Sequence, residues 1–493
     1  MVRRAPVLLL AFLLLWFGSI AAGAAQNEAA PPNDDYYELY KLLVDTMDQV
    51  ERNYVKEIDR RELMEAAIQG VLGKLDPYST YINPEKLGQF RSTVESEFGG
   101  IGIQITVQGP QLKIISPLVG TPAYRAGLMA GDNIVEIDGE STDGLSLDEA
   151  VRRLKGKEGT EVTIGVIHVG SSKKEKVTVR REIIHVETVL GDRRKEDDSW
   201  DFILKGEEQV GYLRVSAFSR DTADEIRKTL EGLRDGGLRG LILDLRFNPG
   251  GLLTSAIEVS DLFVAQGRIV STKGRNSPER KWDAHKSGTF EDFPMVVLVN
   301  RYSASASEIV SACLQDHKRA VVMGERTYGK GSVQNVIELE GGRSALKLTT
   351  AGYRRPSGKN IDRHGGDEKE EWGVTPDDGF ELKLDDEEML ELIEYRRKRD
   401  ALQPKNGQPK EPDESDGQTE EPPPPKDDPK PNGDGPAEDN GNIASPEDQP
   451  EDEPEDQPAD EPADEPEKAE FVDRQLQTAV EYLVEQLAEA KQG

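Results

Sequence analysis

The sequence predicts a multi-domain α/β protein, and three changes of pattern along its 493 residues support that prediction. Residues 35–94 repeat apolar side chains at spacings of three and four, which is typical of amphipathic helices. Residues 95–187 contain five short runs rich in alternating and β-branched residues, which are typical of strands. Residues 188–400 then alternate strand and helix patterns, which indicates an α/β core.

The N-terminus carries a short apolar segment. Two arginines precede VLLLAFLLLWFGSI, and the small residues AAGAAQ follow. A charged start, an apolar centre and a small-residue exit describe a secretory signal peptide over residues 1–25, cleaved near Ala24. The alternative is an uncleaved anchor, because residues 5–25 are just long enough to span a bilayer. We therefore expect an exported protein of the periplasm or cell envelope, with residues 5–25 as its only candidate membrane tether.

The elements of the first two units follow in order. Helices are expected at YYELYKLLVDTMDQVERNYV and DRRELMEAAIQGVLGKL, before two prolines break the pattern in DPYSTYINP. The β unit should hold the strands GIGIQITV, LKIISPL, DNIVEIDGE, EVTIGVIHV and EKVTVRREI. Two short helices, TPAYRAGL and SLDEAVRRLKG, interrupt these strands. The second helix begins with Ser146 and Glu149, which form a capping-box pattern.

The core and the C-terminal region differ sharply in composition. The core should hold the strands GYLRVSAF, GLILDLR, MVVLVN and RAVVMGE, separated by helices. Residues 401–468 form a linker that we expect to be disordered. Residues 401–470 contain 24 acidic and 5 basic residues and 16 of the 29 prolines, so the segment repels itself and offers little to bury. Residues 469–491 return to helical spacing and predict a C-terminal amphipathic helix.

Charge and cysteine content exclude some classes of function. The formal net charge of −32 argues against a nucleic-acid partner. Cys313 is the single cysteine, so the chain has no intramolecular disulfide and depends on packed cores. It lies in the apolar stretch SEIVSACLQ, which favours a buried structural thiol over a catalytic one.

The stretch GERTYGKGSVQ is close to a phosphate-binding loop. Gly324, Gly329 and Lys330 fit the pattern G-x-x-x-x-G-K-[ST], but Gly331 occupies the position of the magnesium-binding hydroxyl. A phosphate loop also leads into a helix, whereas SVQNVIELE has the alternation of a strand. The pattern therefore disfavours nucleotide binding and leaves Lys330 in need of another role.

A serine nucleophile at a strand-to-helix turn would give Lys330 a role, because such a serine needs a base. MVVLVN ends at Asn300 and a helix begins near Ser305, so a hydroxyl there would lie at the rim of the sheet beside the N–H groups of the first helical turn. Ser305 and Glu308 also form an ordinary capping box, and on those residues alone that interpretation is favoured.

A serine nucleophile needs a base, and none of the five histidines is well placed in the sequence. A lysine can serve if burial leaves its amine neutral, which makes Lys330 a candidate. Gln334 lies four residues on and could orient that amine from the same face of an extended segment. The glycines of FNPGG and the N–H of Ala306 are candidate oxyanion donors, although the glycines also suit a tight turn.

These residues resemble a known family. SASASEIVSACLQDHKRAVVMGERTYGKGSVQ closely resembles the signature of the carboxyl-terminal processing proteases, also called tail-specific proteases. DLRFNPGG, LTTAGYRRPSGKNI and WGVTPD resemble further blocks, and LDPYSTYINPE resembles the segment before the family's PDZ domain. The resemblance covers roughly Tyr36 to Leu392. It implies a PDZ domain at residues 95–187 and a crotonase-like serine protease core at residues 188–400.

The resemblance also assigns roles. It implies Ser305 as the nucleophile, Lys330 as the general base and Gln334 as the residue that orients it. Gly251 and Ala306 match the backbone oxyanion donors, and no metal or cofactor is expected. Asp316 matches an aspartate sometimes included in a triad. Because it lies about 16 Å along a helix from Ser305, we interpret it as structural.

In the PDZ domain the resemblance implies a carboxylate-binding loop for a substrate's C-terminus. Its residues would be Gly100, Ile101, Gly102 and Ile103, with the helix after Ser146 as the other wall of the groove. The expected function is an exported serine endopeptidase that recognises apolar C-terminal tails of proteins. Whether the PDZ domain delivers tails or gates the site stays open. An activating or adaptor protein and a homodimer are further candidate partners, and the alternative function is a non-proteolytic PDZ scaffold or chaperone.

Overall fold

The structure is a computed structural model, and it describes residues 34–95, 97–207, 209–363, 372–402 and 471–490. The predicted signal peptide and all but the first two residues of the predicted linker lie outside these ranges. Within the described ranges, no helix combines the length and the apolar character that crossing a membrane requires.

The N-terminal unit is mainly helical. It consists of α1 (Asp34–Asn53), α2 (Arg60–Leu72), β1 (Thr80–Ile82) and α3 (Pro84–Glu95). The side chain of Asp59 caps α2 by accepting from the N–H groups of Arg61 and Glu62. Strand β1 pairs with a long strand of the core, so the segment DPYSTYI lies against the core.

The second unit is a β unit with two helices. Its elements are β2 (Glu97–Gly100), β3 (Ile103–Gln108), β4 (Gln111–Pro117), α4 (Pro122–Arg125), β5 (Asn133–Ile137), β6 (Glu140–Ser141), α5 (Leu147–Leu154), β7 (Glu161–Ile167), β8 (Lys174–Arg180) and β9 (Glu182–His185). The main sheet has the antiparallel order β3-β4-β5-β7-β8. The predicted strand GIGIQITV is in fact divided, since β2 pairs with β9 and β3 pairs with β4. The positive φ of Gly102, 79°, turns the chain between the two sheets.

The third unit holds the remaining elements. They are β10 (Val189–Leu190), β11 (Arg193–Arg194), β12 (Trp200–Asp201), β13 (Val210–Val215), α6 (Thr222–Asp235), β14 (Gly240–Asp244), α7 (Leu253–Asp261), β15 (Gly267–Lys273), β16 (Arg280–Ala284), β17 (Met295–Val299), α8 (Ala306–Asp316), β18 (Val321–Gly324), β19 (Ser332–Leu339), β20 (Ser344–Arg354), α9 (Asp386–Asp400) and α10 (Arg474–Glu489). Strands β15 and β16 were not predicted from the sequence.

Two sheets form the core. The first has the order β10-β13-β14-β17-β18, in which β13, β14, β17 and β18 are parallel. Its strands are buried on both faces, as in β17, where all five residues of MVVLV are buried. The second sheet is antiparallel and contains β1, β20, β15 and β16, with β19 paired to β20. Because GKGSVQ leads into the strand β19 rather than into a helix, the structure offers no phosphate loop there.

The C-terminal helix α10 covers one face of the parallel sheet. Ala479 and Leu483 are fully buried against Ile242, Val296 and Leu298. Burying a leucine of this kind contributes roughly 1.5–3 kcal/mol to stability. The opposite face packs on α6, α7 and α8, so the sheet is enclosed only when α10 is in place.

A buried ion pair fastens the start of α10. The guanidinium of Arg246, which follows β14, is fully buried and donates to Asp473 at 2.8 Å and to Asp244 at 2.7 Å. It also donates to Gln475 at 2.9 Å. Burial alone would raise the pKa of Asp473, but the charge of Arg246 lowers it below its usual value. The C-terminal helix is therefore bonded to the strand that leads into the loop FNPGG.

Candidate active site

Ser305 lies at a sharp turn between β17 and α8. Its φ is 56°, a left-handed conformation that is uncommon outside glycine and costs energy, so the surrounding structure must hold it. Gly250 packs against this turn. A Cβ atom at position 250 would lie 2.8 Å from the Cβ of Ser305 and 2.9 Å from the nitrogen of Ala306, so only glycine fits. Ser305 is 9% exposed.

The other two serines of SASAS have structural roles. The hydroxyl of Ser303 donates to the carbonyl of Leu245 at 2.8 Å, and that of Ser307 donates to the carbonyl of Asn248 at 2.9 Å. The N–H of Ala304 also donates to Asn248 O, at 3.0 Å. These bonds fasten the serine turn to the glycine loop after β14, and they use the two hydroxyls that flank Ser305.

A buried carboxylate joins the serine turn to the lysine loop. One oxygen of Glu308, Oε2, accepts from the backbone N–H of Ser305 and from that of Lys330, both at 2.8 Å. The other oxygen, Oε1, accepts from the hydroxyl of Thr327 and the N–H of Gly329, both at 2.6 Å. Burial raises the pKa of Glu308 to about 7, against the opposing effect of these four donors. The two residues predicted to form the dyad are thus held by the same oxygen atom.

The amine of Lys330 lies in a half-buried position. Burial is the main cause that lowers its pKa, the charge of Lys347 adds to this effect, and Glu308 opposes it. The Nζ atom lies 5.0 Å from the centre of the Tyr78 ring, which comes from the segment before β1. In the part of the chain that the structure describes, no hydrogen bond joins the side chains of Lys330 and Ser305. Such bonds are often long before substrate binds.

Gln334 lies on β19 but does not contact Lys330 through a hydrogen bond among the described residues. Its Nε2 atom donates to the hydroxyl of Ser332 at 2.8 Å and to that of Thr349 at 3.4 Å. The pairing of β19 with β20 is irregular between Val333 and Gln334, which changes the simple alternation of faces expected from the spacing.

The two candidate oxyanion donors are the backbone N–H groups of Ala306, in the serine turn, and of Gly251, which follows the Gly250 that packs against that turn. Neither the N–H of Gly251 nor that of Ala306 donates a hydrogen bond within the described residues. Gly251 has a φ of 153° and pairs with Phe218, whose carbonyl would be only 2.1 Å from a Cβ atom at position 251. The neighbouring Gly250 N–H instead donates to the side chain of Asn248 at 2.8 Å.

The four residues predicted to bind a carboxylate run from the last residue of β2, Gly100, to the first residue of β3, Ile103. The carbonyl of Ile101 accepts from the N–H of Ala123 at 2.9 Å, and the carbonyl of Gly102 accepts from Leu118 N–H at 2.9 Å and from the Thr121 hydroxyl at 3.0 Å. These bonds fix the loop against α4. Helix α5, capped by the hydroxyl of Ser146, packs against β3.

Asp316 and the histidines have other partners. The carboxylate of Asp316 forms a bidentate pair with Arg355, at 2.7 and 3.0 Å, which supports its structural interpretation. Each described histidine lies close to a different polar group: His168 to Asp132, His185 to Glu97, His285 to Asp261 and His317 to the carbonyl of Arg268. His364 lies outside the described residues. Among the described histidines, none is bonded to Ser305.

Three family models match the chain. The model for peptidase family S41 matches residues 209–378, the PDZ domain model matches residues 91–167, and the model for the activating protease CtpB N-terminal domain matches residues 19–86. The chain is 36% identical over 412 residues to the carboxy-terminal-processing protease of Bartonella bacilliformis, covering 80% of this chain and 88% of that relative. It is 37% identical over 335 residues to the carboxyl-terminal-processing protease of Synechocystis sp., covering 67% of this chain and 74% of that relative.

The chain therefore belongs to the S41 peptidases of the carboxyl-terminal processing protease family. It is a serine-type C-terminal processing peptidase that carries a PDZ domain. The resemblance seen in the sequence is confirmed.

Glu308 was predicted from the sequence only as a helix cap, and its role in the site was not predicted. The signal was present, because Ser305 and Glu308 have the capping-box spacing. The bond from Glu308 to the N–H of Ser305 fits that pattern. The bonds to Thr327, Gly329 and Lys330 come from a segment that lies beyond β18, and spacing along one helix carries no information about it.

Proposed function

We propose that this protein is an exported serine endopeptidase that cleaves protein substrates with a dyad of Ser305 and Lys330. Neutral Lys330 takes the proton of the Ser305 hydroxyl, and the Oγ atom attacks the scissile carbonyl carbon. The carbonyl oxygen then becomes negatively charged and accepts hydrogen bonds from the N–H groups of Gly251 and Ala306. Lys330 passes its proton to the leaving amine. The neutral amine of Lys330 next deprotonates the water that attacks the acyl-enzyme, and it returns that proton to Ser305 Oγ as the ester bond breaks.

One observation carries this proposal. The backbone N–H groups of Ser305 and Lys330 donate to a single oxygen of the fully buried Glu308, which holds nucleophile and base together. The lowered pKa of Lys330 supports its role, because a base must be neutral to accept a proton. Gln334 is proposed to orient the amine once substrate is bound, through a change of its side-chain partner from Ser332.

The PDZ domain is proposed to bind the apolar C-terminal tail of the substrate. The tail would add as a strand beside β3, with its carboxylate at the N–H groups of residues 100–103. Gly102→Ala tests this groove, because a Cβ atom there would lie 2.4 Å from the Cβ of Thr121 and the φ of 79° disfavours alanine. The variant should bind a fluorescent apolar tail peptide more weakly. Gly109→Ala, at a positive φ with open space around it, controls for the backbone effect.

Proteolysis of an unfolded reporter tests the dyad. We would compare a reporter that ends in an apolar tail with the same reporter ending in two aspartates. The wild type should cleave the first reporter faster. Ser305→Ala and Lys330→Ala should cleave neither, and Lys330→Arg should fail too, because guanidinium does not give up its proton.

The outcome also separates the two candidate functions. Full activity of Ser305→Ala in a folded protein would refute the dyad. Tight tail binding by the wild type without any cleavage would favour a PDZ scaffold or chaperone, or an enzyme that waits for an activating or adaptor protein.

We also propose a crotonase-like fold for the core and secretion through a cleaved signal peptide to the periplasm or cell envelope. The proposed segments are the signal peptide (1–25), the helical region (35–94), the PDZ domain (95–187), the protease core (188–400), a disordered acidic linker (401–468) and the C-terminal helix (469–491). A homodimer is proposed too, and it is supported by the apolar side chains that α1 exposes: Tyr36, Tyr37, Leu39, Tyr40 and Leu42. Sedimentation of the full chain tests the dimer.

A further inference from the structure

A cluster of three possible metal ligands lies where the PDZ domain meets the protease core. Strands β2 and β9 carry the chain into and out of the PDZ domain, and they pair so that Glu97 faces His185. Asp221, the residue before helix α6 of the core, lies beside them. One ligand atom from each of these three residues lies within 4.8 Å of the other two.

The distances suit a transition-metal ion. The Nδ1 atom of His185 lies 3.2 Å from a carboxylate oxygen of Glu97. Zinc binds imidazole nitrogen and carboxylate oxygen at about 2.0–2.2 Å, so two ligands of one ion lie about 3–4 Å apart. The pair of Glu97 and His185 already meets that requirement. Asp221 is exposed, so a small rotation of its side chain is free to bring its oxygen within reach.

The charges at this place are otherwise poorly balanced. Glu97 and Asp221 bring two carboxylates together, and neither forms an ion pair with a lysine or arginine in the described part of the chain. Asp221 occupies the cap position of α6, but its carboxylate accepts no hydrogen bond from that helix. A divalent cation would neutralise both carboxylates, and the exposed face of the cluster leaves room for water as further ligands.

We propose that Glu97, His185 and Asp221 bind a divalent transition-metal ion of the zinc class and so fasten the PDZ domain to the core. An imidazole with two carboxylates suits zinc, whereas calcium and magnesium prefer oxygen ligands alone. The site is separate from the proposed catalytic residues, for which no metal is expected. Because β2 continues into Gly100, the bound ion would restrict the strand that carries the carboxylate-binding loop. The proposal concerns binding and does not depend on the catalytic dyad.

Zinc binding by the full-length chain tests the proposal. The protein would be prepared without a histidine tag, dialysed against a chelator and titrated with zinc chloride in competition with a chromophoric chelator. The wild type should bind one equivalent. His185→Ala should bind on the order of 100-fold more weakly, since even losing an outer-shell partner costs about 10–100-fold in metal affinity. Asp221→Asn should also bind more weakly.

A matched control is available in His285. It is exposed and its Nδ1 atom lies 3.3 Å from Asp261, so it resembles the pair of His185 and Glu97, but among the described residues it has no third ligand. His285→Ala should bind zinc as the wild type does. Absence of zinc binding in the wild type would overturn the proposal, and so would equal affinity in His185→Ala, which would locate binding in other acidic segments.

Hydrogen exchange tests whether the bound zinc ion also restrains the strands β2 and β9. Zinc should slow backbone exchange in β2 and β9 of the wild type and of His285→Ala, and leave it unchanged in His185→Ala. Zinc binding without slower exchange in these strands would overturn the claim that the ion fastens the PDZ domain to the core.

Discussion

The substitution Glu308→Gln should remove most of the enzyme's activity while changing its stability only modestly. The carboxylate of Glu308 accepts four hydrogen bonds, two on each oxygen, from Ser305, Lys330, Thr327 and Gly329. Glutamine keeps the shape of the side chain but replaces one oxygen by an NH₂ group. Whichever way the amide is turned, that NH₂ group faces two donors, so two of the four bonds are lost.

The expected magnitudes follow from these contacts. A hydrogen bond to a charged group contributes about 1.5–3 kcal/mol, so two lost bonds cost about 3–6 kcal/mol. The substitution also removes a buried charge. The pKa of about 7, against about 4.3 for a free glutamate, corresponds to a net cost of roughly 3–4 kcal/mol for ionising the buried side chain, and the substitution removes that cost. These two effects oppose each other and are similar in size, so the free energy of unfolding should change by no more than about 3 kcal/mol. The displacement of Ser305 and Lys330 should cost on the order of 100-fold in kcat/KM, as a misplacement of about 1 Å does.

Reporter cleavage and urea unfolding measure the two effects separately. Both should be done at roughly pH 8.5, where most of the Glu308 is ionised. Glu225→Gln is the control, because that carboxylate also accepts from two N–H groups and a hydroxyl, at 2.9–3.0 Å, but binds neither Ser305 nor Lys330. The control should keep its kcat/KM. If Glu308→Gln kept more than half of the wild-type kcat/KM, Glu308 would not position the dyad.

Two further predictions concern the lysine and the C-terminal helix. Because burial and Lys347 lower the pKa of Lys330, kcat/KM should rise with pH, with a midpoint below the usual lysine pKa of about 10.4. Lys347→Gln removes a neighbouring positive charge and should move the midpoint of that rise upward, and an unchanged or lower midpoint would count against Lys330 as the base. Asp473→Ala should destabilise the protein to urea by about 3 kcal/mol, because it removes one of the two carboxylates that pair with the fully buried Arg246. Asp473→Asn keeps an acceptor for the N–H of Leu476 and should cost about 1 kcal/mol less. A loss below about 1 kcal/mol in Asp473→Ala would mean that this pair does not hold α10.

Much of the fold was predictable because the signals are local. The strand MVVLVN and the helix that follows it appear as β17 and α8, and SVQNVIELE forms β19. Errors occur where local patterns are weak or ambiguous. GIGIQITV alternates well enough to suggest one strand, but Gly102 divides it between two sheets. Strands β15 and β16 contain charged residues and lie in the second sheet, where pairing rather than a hydrophobic run defines them.

The candidate site was predictable only through the family resemblance. From the residues alone, Ser305 could not be distinguished from Ser303 and Ser307, because all three fit the same strand-to-helix turn. The structure distinguishes them by their partners, since the hydroxyls of Ser303 and Ser307 donate to backbone carbonyls of the glycine loop region. The even spacing of Lys330 and Gln334 suggested a contact, but the irregular pairing at Gln334 changes where that side chain lies.

The sequence by itself determined the order of the units, the main helices and strands, and the family, because periodicity and motifs depend on residues close together in the chain. Tertiary structure alone decided which groups meet. The bond between Lys330 and Glu308 joins residues 22 positions apart, and that between Arg246 and Asp473 joins residues 227 positions apart. Such contacts depend on how strands and helices pack, and burial then sets the pKa of Glu308 and Lys330. The local sequence pattern carries no information about these contacts or about the burial that shifts the pKa values.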